Sequence, residues 1–275
     1  MPEKLPFKIM SQLKGGSLSL VVGWEKDSGV LGATVIEYLN KKLKGQEFGE
    51  IEVSRFFSLD GVAVENKVVQ FPRNRLYACE KKSLLLFAGD PPQHEWYAFL
   101  TALIDVAQTH AGVKEIYTVG GMAGLNAHTV PRELFAVFSS AEMKERLSAY
   151  HSWRDMDYQT PAGQRPTFNS FLMWAARRRG IQSVSLWVPI PFYLISAGDA
   201  QARKIVLEFF DQRFGLGIDF SDLNEEIVHQ NKKIAQARIR SPEIDGYMNR
   251  IENDLHLSEE EQIRLIKEME GVFKL

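Results

Sequence analysis

Two loops in this chain hold the side chains best suited to chemistry. In Gly120 to Arg132, GGMAGLNAHTVPR, His128 can shuttle a proton and Arg132 can clamp an anion, with Asn126 and Thr129 as hydrogen-bonding neighbours. In Gly23 to Gly32, GWEKDSGVLG, glycines open the start of a helix, where free amides and the helix dipole favour negative charge. Gly23, Glu25, Ser28 and Gly29 are the ligand-facing candidates there, and Gly120, Gly121, Asn126, His128 and Arg132 are those of the other loop. Lining one crevice, they would make a nucleoside- or phosphate-handling enzyme, with Arg132 on the anion and His128 or Glu25 as the acid–base group. Each loop also has a plainer reading. The glycines suit turn geometry and close helix–strand packing, and the later loop suits a surface connection carrying two polar side chains.

Several chemistries are excluded or disfavoured by spacing. The first loop lacks the Gly-Lys-Ser/Thr ending of a phosphate-binding P-loop and the G-x-G-x-x-G of a dinucleotide site, so no cofactor is expected. Glu25 and Asp27 would also repel phosphate. The six histidines, His94, His110, His128, His151, His229 and His256, are scattered without ligand spacing, which argues against a metal site. No G-x-S-x-G elbow marks a hydrolase serine. Cys79 is the single cysteine, in an apolar strand-like segment, and reads as a small core residue. With no internal disulfide to form, the expected home is a reducing one, the cytoplasm. A formal net charge of -2 supplies no field toward nucleic acid or an anionic membrane, and no window has the length and apolarity of a membrane span or a signal segment. Arg177-Arg178-Arg179 precedes Gly180 and reads as a solvated helix end favoured by the dipole.

The elements that must position these residues form an α/β pattern. Leu18 to Val22 is a short apolar run typical of a buried strand, and Val30, Leu31, Val35, Tyr38 and Leu39 then recur at helical spacing, with Ser28 or Asp27 as cap. Met1 to Gly16 is a polar lead-in, and Gly45 to Gly49 closes the first helix. A second strand is expected through Ile51, Val53 and Phe56-Phe57. Asp60-Gly61 signals a turn before Val62 to Val64, and Val68 to Cys79 continues a hairpin or meander, so the sheet should be mixed. Further strands are expected at Ser83 to Ala88, Ile116 to Val119, Leu134 to Phe138 and Val184 to Val188, the last cut off by Pro189 and Pro191. Helices are expected at Glu95 to His110, Ala141 to Tyr150, Phe168 to Arg179 behind a Thr167 cap, and Ala200 to Phe214. Tyr158 to Pro166 reads as a loop. From Asp219 the chain turns helical and charged, with a break at Pro242 and a capping box at Ser258 to Glu261. The fold class is therefore a three-layer α/β/α sandwich with a mixed central sheet over residues 1–218, plus a helical C-terminal extension over 219–275.

Two surfaces suit protein contacts. Trp96-Tyr97 lies at a helix start, where a partly exposed pair would serve a subunit interface. Ile263, Ile266, Met269 and Phe273 line one face of the last helix.

Four segments carry a resemblance when taken in order: Gly23, Gly29, Gly32, Tyr38 and Leu39; Ile116 to Gly121; Ala175 to Ile181 before a strand ending in Val-Pro; and Gly215 to Asp219 with Leu223. Over roughly Leu18 to Lys233 the chain resembles the proteasome assembly chaperone two family. The resemblance implies a fold similar to nucleoside phosphorylases, homo-oligomers and, for eukaryotic and archaeal members, guidance of proteasome ring assembly. Two departures stand out. Docking relatives end in a hydrophobic residue, a tyrosine and one more residue, whereas this chain ends Phe273-Lys274-Leu275, which weighs against proteasome docking. Many archaeal relatives have glycines where this chain has Thr167 to Phe171. A non-catalytic, self-associating scaffold or assembly factor is the favoured expectation.

Overall fold

The computed structural model describes residues 7–274 apart from 14–16, 53–54, 58–62, 66, 151–152, 154–155 and 157–158. Lys14-Gly15-Gly16, Val53, the Asp60-Gly61 turn, Val62, His151, Tyr158 and Leu275 therefore lie outside the described residues.

Strands β1 (Phe7–Ile9), β2 (Ser19–Trp24), β3 (Gln46–Ile51), β6 (Asn74–Cys79), β7 (Leu84–Gly89), β8 (Glu115–Gly124), β9 (Phe135–Phe138) and β10 (Gln182–Pro191) form an eight-stranded sheet in the order β1-β3-β6-β7-β2-β8-β10-β9, while β4 (Ala63–Glu65) and β5 (Val68–Gln70) pair separately. The central run β7-β2-β8-β10 is parallel and both flanks are antiparallel, so the sheet is mixed as expected. Successive side chains of a strand point to opposite faces, and β2 shows it: Leu20, Val22 and Trp24 join one core cluster while Val21 joins the other.

Each face of the sheet is covered by helices. One carries α2 (Trp96–Ala111) and α4 (Phe168–Arg177); the other carries α1 (Leu31–Leu43), α3 (Ala141–Leu147) and α5 (Ala200–Phe214). Three further helices, α6 (Ser221–Arg240), α7 (Pro242–Glu252) and α8 (Glu259–Lys274), extend the second layer, and their Leu223, Ile234, Met248, Leu265 and Met269 share its buried cluster. In the first layer Phe99 is fully buried among the rings of Trp24, Phe56, Phe57, Phe87 and Phe168. Emptying such a site costs about 3–5 kcal/mol.

Capping follows local chemistry. Thr167 Oγ1 accepts from the Ser170 amide at 3.1 Å, as expected for α4. At α8, Ser258 Oγ accepts from the Glu261 amide and the Glu261 carboxylate accepts from the Ser258 amide, the two halves of a capping box. Pro242 does not merely end α6; it occupies the first turn of α7, where its missing N–H costs nothing, behind Ser241 as cap.

Three strand expectations are corrected. Gly45 follows the end of α1 and its amide donates to the Asn40 carbonyl, but Gln46 to Gly49 does not belong to the helix closure: β3 begins at Gln46, before the Ile51 to Phe57 run expected to hold it. Phe56 lies in a turn and points into the core. The glycines after Val119 continue β8 to Gly124, paired in register with β10. Finally, Pro189 and Pro191 do not stop β10. They lie beyond the last β9 partner, Trp187, on an edge where no further strand among the described residues requires their amides.

Candidate functional site

Open α/β sheets bind ligands at the carboxyl ends of their parallel strands. Here the ends of β2 and β8 bring the two predicted loops together. The Asp27 carboxylate reaches into the crevice, and its Oδ2 accepts from the amides of Gly32, in the first turn of α1, and Gly121, in β8, both at 2.9 Å. These are the donors an anionic ligand would use, and the chain has supplied its own carboxylate to them. Burial pushes the Asp27 carboxyl up to about 6, with the two amides pulling the other way. Its second oxygen, Oδ1, is buried without a hydrogen-bond partner among the described residues.

The glycines of both loops meet protein atoms. A β-carbon on Gly121 would stand 1.9 Å from the Ser28 carbonyl oxygen, and one on Gly120 would meet the Trp187 ring at 2.8 Å. Gly29, at φ 71°, faces Ile190. Gly23 and Gly32 face each other, so β2 and α1 touch backbone to backbone. Glu25 follows on the rim, half-buried, its carboxyl raised first by burial and then by Glu37, Asp90 and Asp27.

His128 and Arg132 are both buried and make their contacts with other elements. Tyr193 Oη accepts from the His128 amide at 2.6 Å and lies 3.0 Å from His128 Nδ1. In that second contact the donor is set by which imidazole nitrogen carries the proton: Oη donates if it is Nε2 and accepts if it is Nδ1. Burial holds the His128 pKa below its ordinary value, so the ring is neutral. Arg132 Nε donates to Asp199 Oδ2 at 2.6 Å, and its Nη1 reaches the Val130 carbonyl. Asp199 Oδ1 meanwhile caps α5 through the amides of Gln201 and Ala202. The guanidinium expected to clamp an anion is therefore engaged within the protein, tying the 127–132 loop to the start of α5. Asn126 is elsewhere, beside Gly124, in a cleft of about 250 Å³ under the α7–α8 turn.

Sequence reading missed three residues of this arrangement. Asp199 had a signal, an acidic residue immediately before a helix. Tyr193 sits in an apolar run and Asn169 inside a helix, and nothing local marks either. Asn169 is buried and accepts from Trp24 Nε1 at 2.7 Å, joining α4 to the end of β2.

Among the described residues, no three His, Cys, Asp or Glu side chains come together as a metal would require, and no helix is long and apolar enough to cross a membrane. Burial pushes the Cys79 thiol up to about 11, out of the range of a nucleophile at neutral pH.

The contact candidates divide. Tyr97 is 49% exposed and Trp96 half-buried, whereas on α8 Met269 is fully buried, Ile266 and Phe273 are half-buried and Ile263 is 52% exposed.

Comparison with known proteins accords with this architecture. The fold is similar to that of Pyrococcus furiosus PbaB, an archaeal proteasome activator (TM-score 0.70, 21% identity, covering 84% of this chain and 98% of that one). It is also similar to Rv2125, a proteasome-assembly chaperone homologue of Mycobacterium tuberculosis (TM-score 0.68, 16% identity, 84% and 99%), and to Rv2714, a protein of unknown function from the same organism (TM-score 0.75, 19% identity, 92% and 92%). Comparison with curated proteins returned no match. The PAC2 family model matches residues 20–238, from β2 into α6, and on that match the chain belongs to the PAC2 family.

Proposed function

We propose that this protein is a non-catalytic, self-associating scaffold that binds other proteins in the manner of an assembly chaperone. The observation that carries the reading is the Asp27 carboxylate seated on the Gly32 and Gly121 amides, where a substrate anion would bind. His128 and Arg132, the other groups suited to catalysis, are turned to Tyr193 and Asp199. The names of PbaB and Rv2125 connect relatives of this fold to the proteasome and support a protein-binding role. Residues 219–275 serve in this reading as a helical extension of the sandwich, and the cytoplasm as its setting.

Size-exclusion chromatography with light scattering tests the reading. A mass several times that of one chain at micromolar concentration supports it, and a strict monomer overturns it. A thermal-shift screen with nucleosides, nucleotides and phosphate tests the enzyme alternative. A ligand at about 100 times its Kd adds about 2.7 kcal/mol of stability, so a shift of that size would reopen the crevice as a site.

A further inference from the structure

The α2–α4 layer carries an aromatic strip on its outer surface. Tyr97 and Trp174 are 49% and 46% exposed, with ring centroids 5.8 Å apart. Trp174 stacks on Phe171 at 5.3 Å, and Phe171 leads on to Trp96 at 6.2 Å. Beside Trp96 lies a cleft of about 430 Å³, whose lining includes His94, Glu95, Trp96, Arg165, Pro166 and Phe171. Soluble proteins rarely leave large aromatic rings contiguous and exposed without a use.

The charges around the strip do not cancel. Its carboxylates are already engaged, Glu95 with Arg55 at 3.0 Å and Asp105 with Arg179 at 2.8 Å. Arg165 lies over the Trp96 ring at 5.6 Å and Arg178 over the Trp174 ring at 5.1 Å. Neither they nor Arg177 form an ion pair among the described residues. Guanidinium groups held over indole rings have lost part of their freedom already, and those without an ion-pair partner among the described residues keep N–H groups for carboxylates. Aromatic rings beside arginine are also the composition of binding hot spots.

We infer that this face docks an acidic protein segment, seating one apolar or aromatic side chain in the cleft over Phe171 and Trp96 and its carboxylates on Arg165, Arg177 and Arg178. Charge complementarity selects the occupant. A symmetric pairing with a second copy would set these arginines against each other, and like charges across an interface disfavour it. The inference rests on the protein-binding reading above and names the chemistry of the partner.

The test is fluorescence anisotropy with a labelled peptide of about twelve residues alternating Glu with Leu and Phe, beside its Lys-for-Glu counterpart and a decauridylate RNA. The acidic peptide should bind, and raising salt from roughly 50 to 300 mM should weaken it. W174A and the double variant R165E/R178E should each weaken it at least about tenfold, while K232E, on α6, leaves it unchanged. Circular dichroism and light scattering on the same samples report folding and assembly. Failure of the acidic peptide to bind, equal binding of the basic one, or RNA binding through the same arginines overturns the docking inference. If assembly is intact in those samples, the scaffold reading survives that failure; a monomeric chain removes it whatever the peptide does.

Discussion

Gly23 and Gly32 are in direct backbone contact: a β-carbon added to Gly23 would stand 2.1 Å from the Gly32 carbonyl oxygen, and one added to Gly32 would stand 2.8 Å from the Trp24 nitrogen. Neither contact involves a flexible side chain that could swing away. G23A or G32A should therefore push α1 off β2 and lower stability by more than about 2 kcal/mol, read from urea unfolding. A G163A control, in open space but at φ 81°, should cost less, about 1 kcal/mol. Equal effects at all three positions would refute the packing explanation.

Asp27 makes stability depend on pH in a defined direction. Its carboxyl is raised by burial from 3.8 to about 6, so the folded chain keeps a proton that the unfolded chain has released. The stabilisation this provides is complete below about pH 4 and is lost as the pH climbs through about 6. D27N keeps an acceptor oxygen for the two amides and carries no charge. It should flatten the profile between pH 4 and 6 and be at least as stable as the parent at pH 7, whereas D27A, which strands both amides, should lose about 1–3 kcal/mol. A D27N chain with the parental pH profile would sink this assignment.

The Arg132–Asp199 pair has both side chains almost wholly out of solvent, at 2% and 0% exposure. Removing one partner strands the other, so R132A should cost about 3–5 kcal/mol. Its tie is structural, so thermal melts should move, while assembly mass among the molecules that remain folded should not.

Val30 caps α1 with φ 49°, a left-handed conformation that β-branched residues adopt only under strain. V30G should relieve that strain and stabilise the chain by about 1 kcal/mol. V35G, in the same helix but buried at an ordinary helical position, should do the reverse by several kcal/mol. Differential scanning calorimetry of the two variants separates these signs.

Much of the sandwich could be read from the sequence, because periodicity and capping act locally. The α5 boundaries, the Thr167 cap and the capping box at Ser258 depend on residues within one turn of each other. The strands at Gly120 to Gly124 and Pro189 to Pro191 were hidden because Gly and Pro signal breaks, and only their distant partners make them strands. Trp187 and Ser28 need glycine opposite them, and the missing β9 neighbour frees the prolines. At the crevice, the loops could be found but not their occupant. Asp27 meets Gly121 across 94 positions of sequence, a distance over which no local pattern operates. The same holds for Arg132 and Asp199, 67 positions apart.

The two prolines at the end of β10 have a consequence for how copies of this chain can meet. Beyond Trp187 that border of the sheet offers no amide at Pro189 or Pro191, so it cannot serve as a template for a foreign strand. Growth by ribbon-to-ribbon zippering is blocked at this corner, and neighbours that approach it must be gripped by side chains.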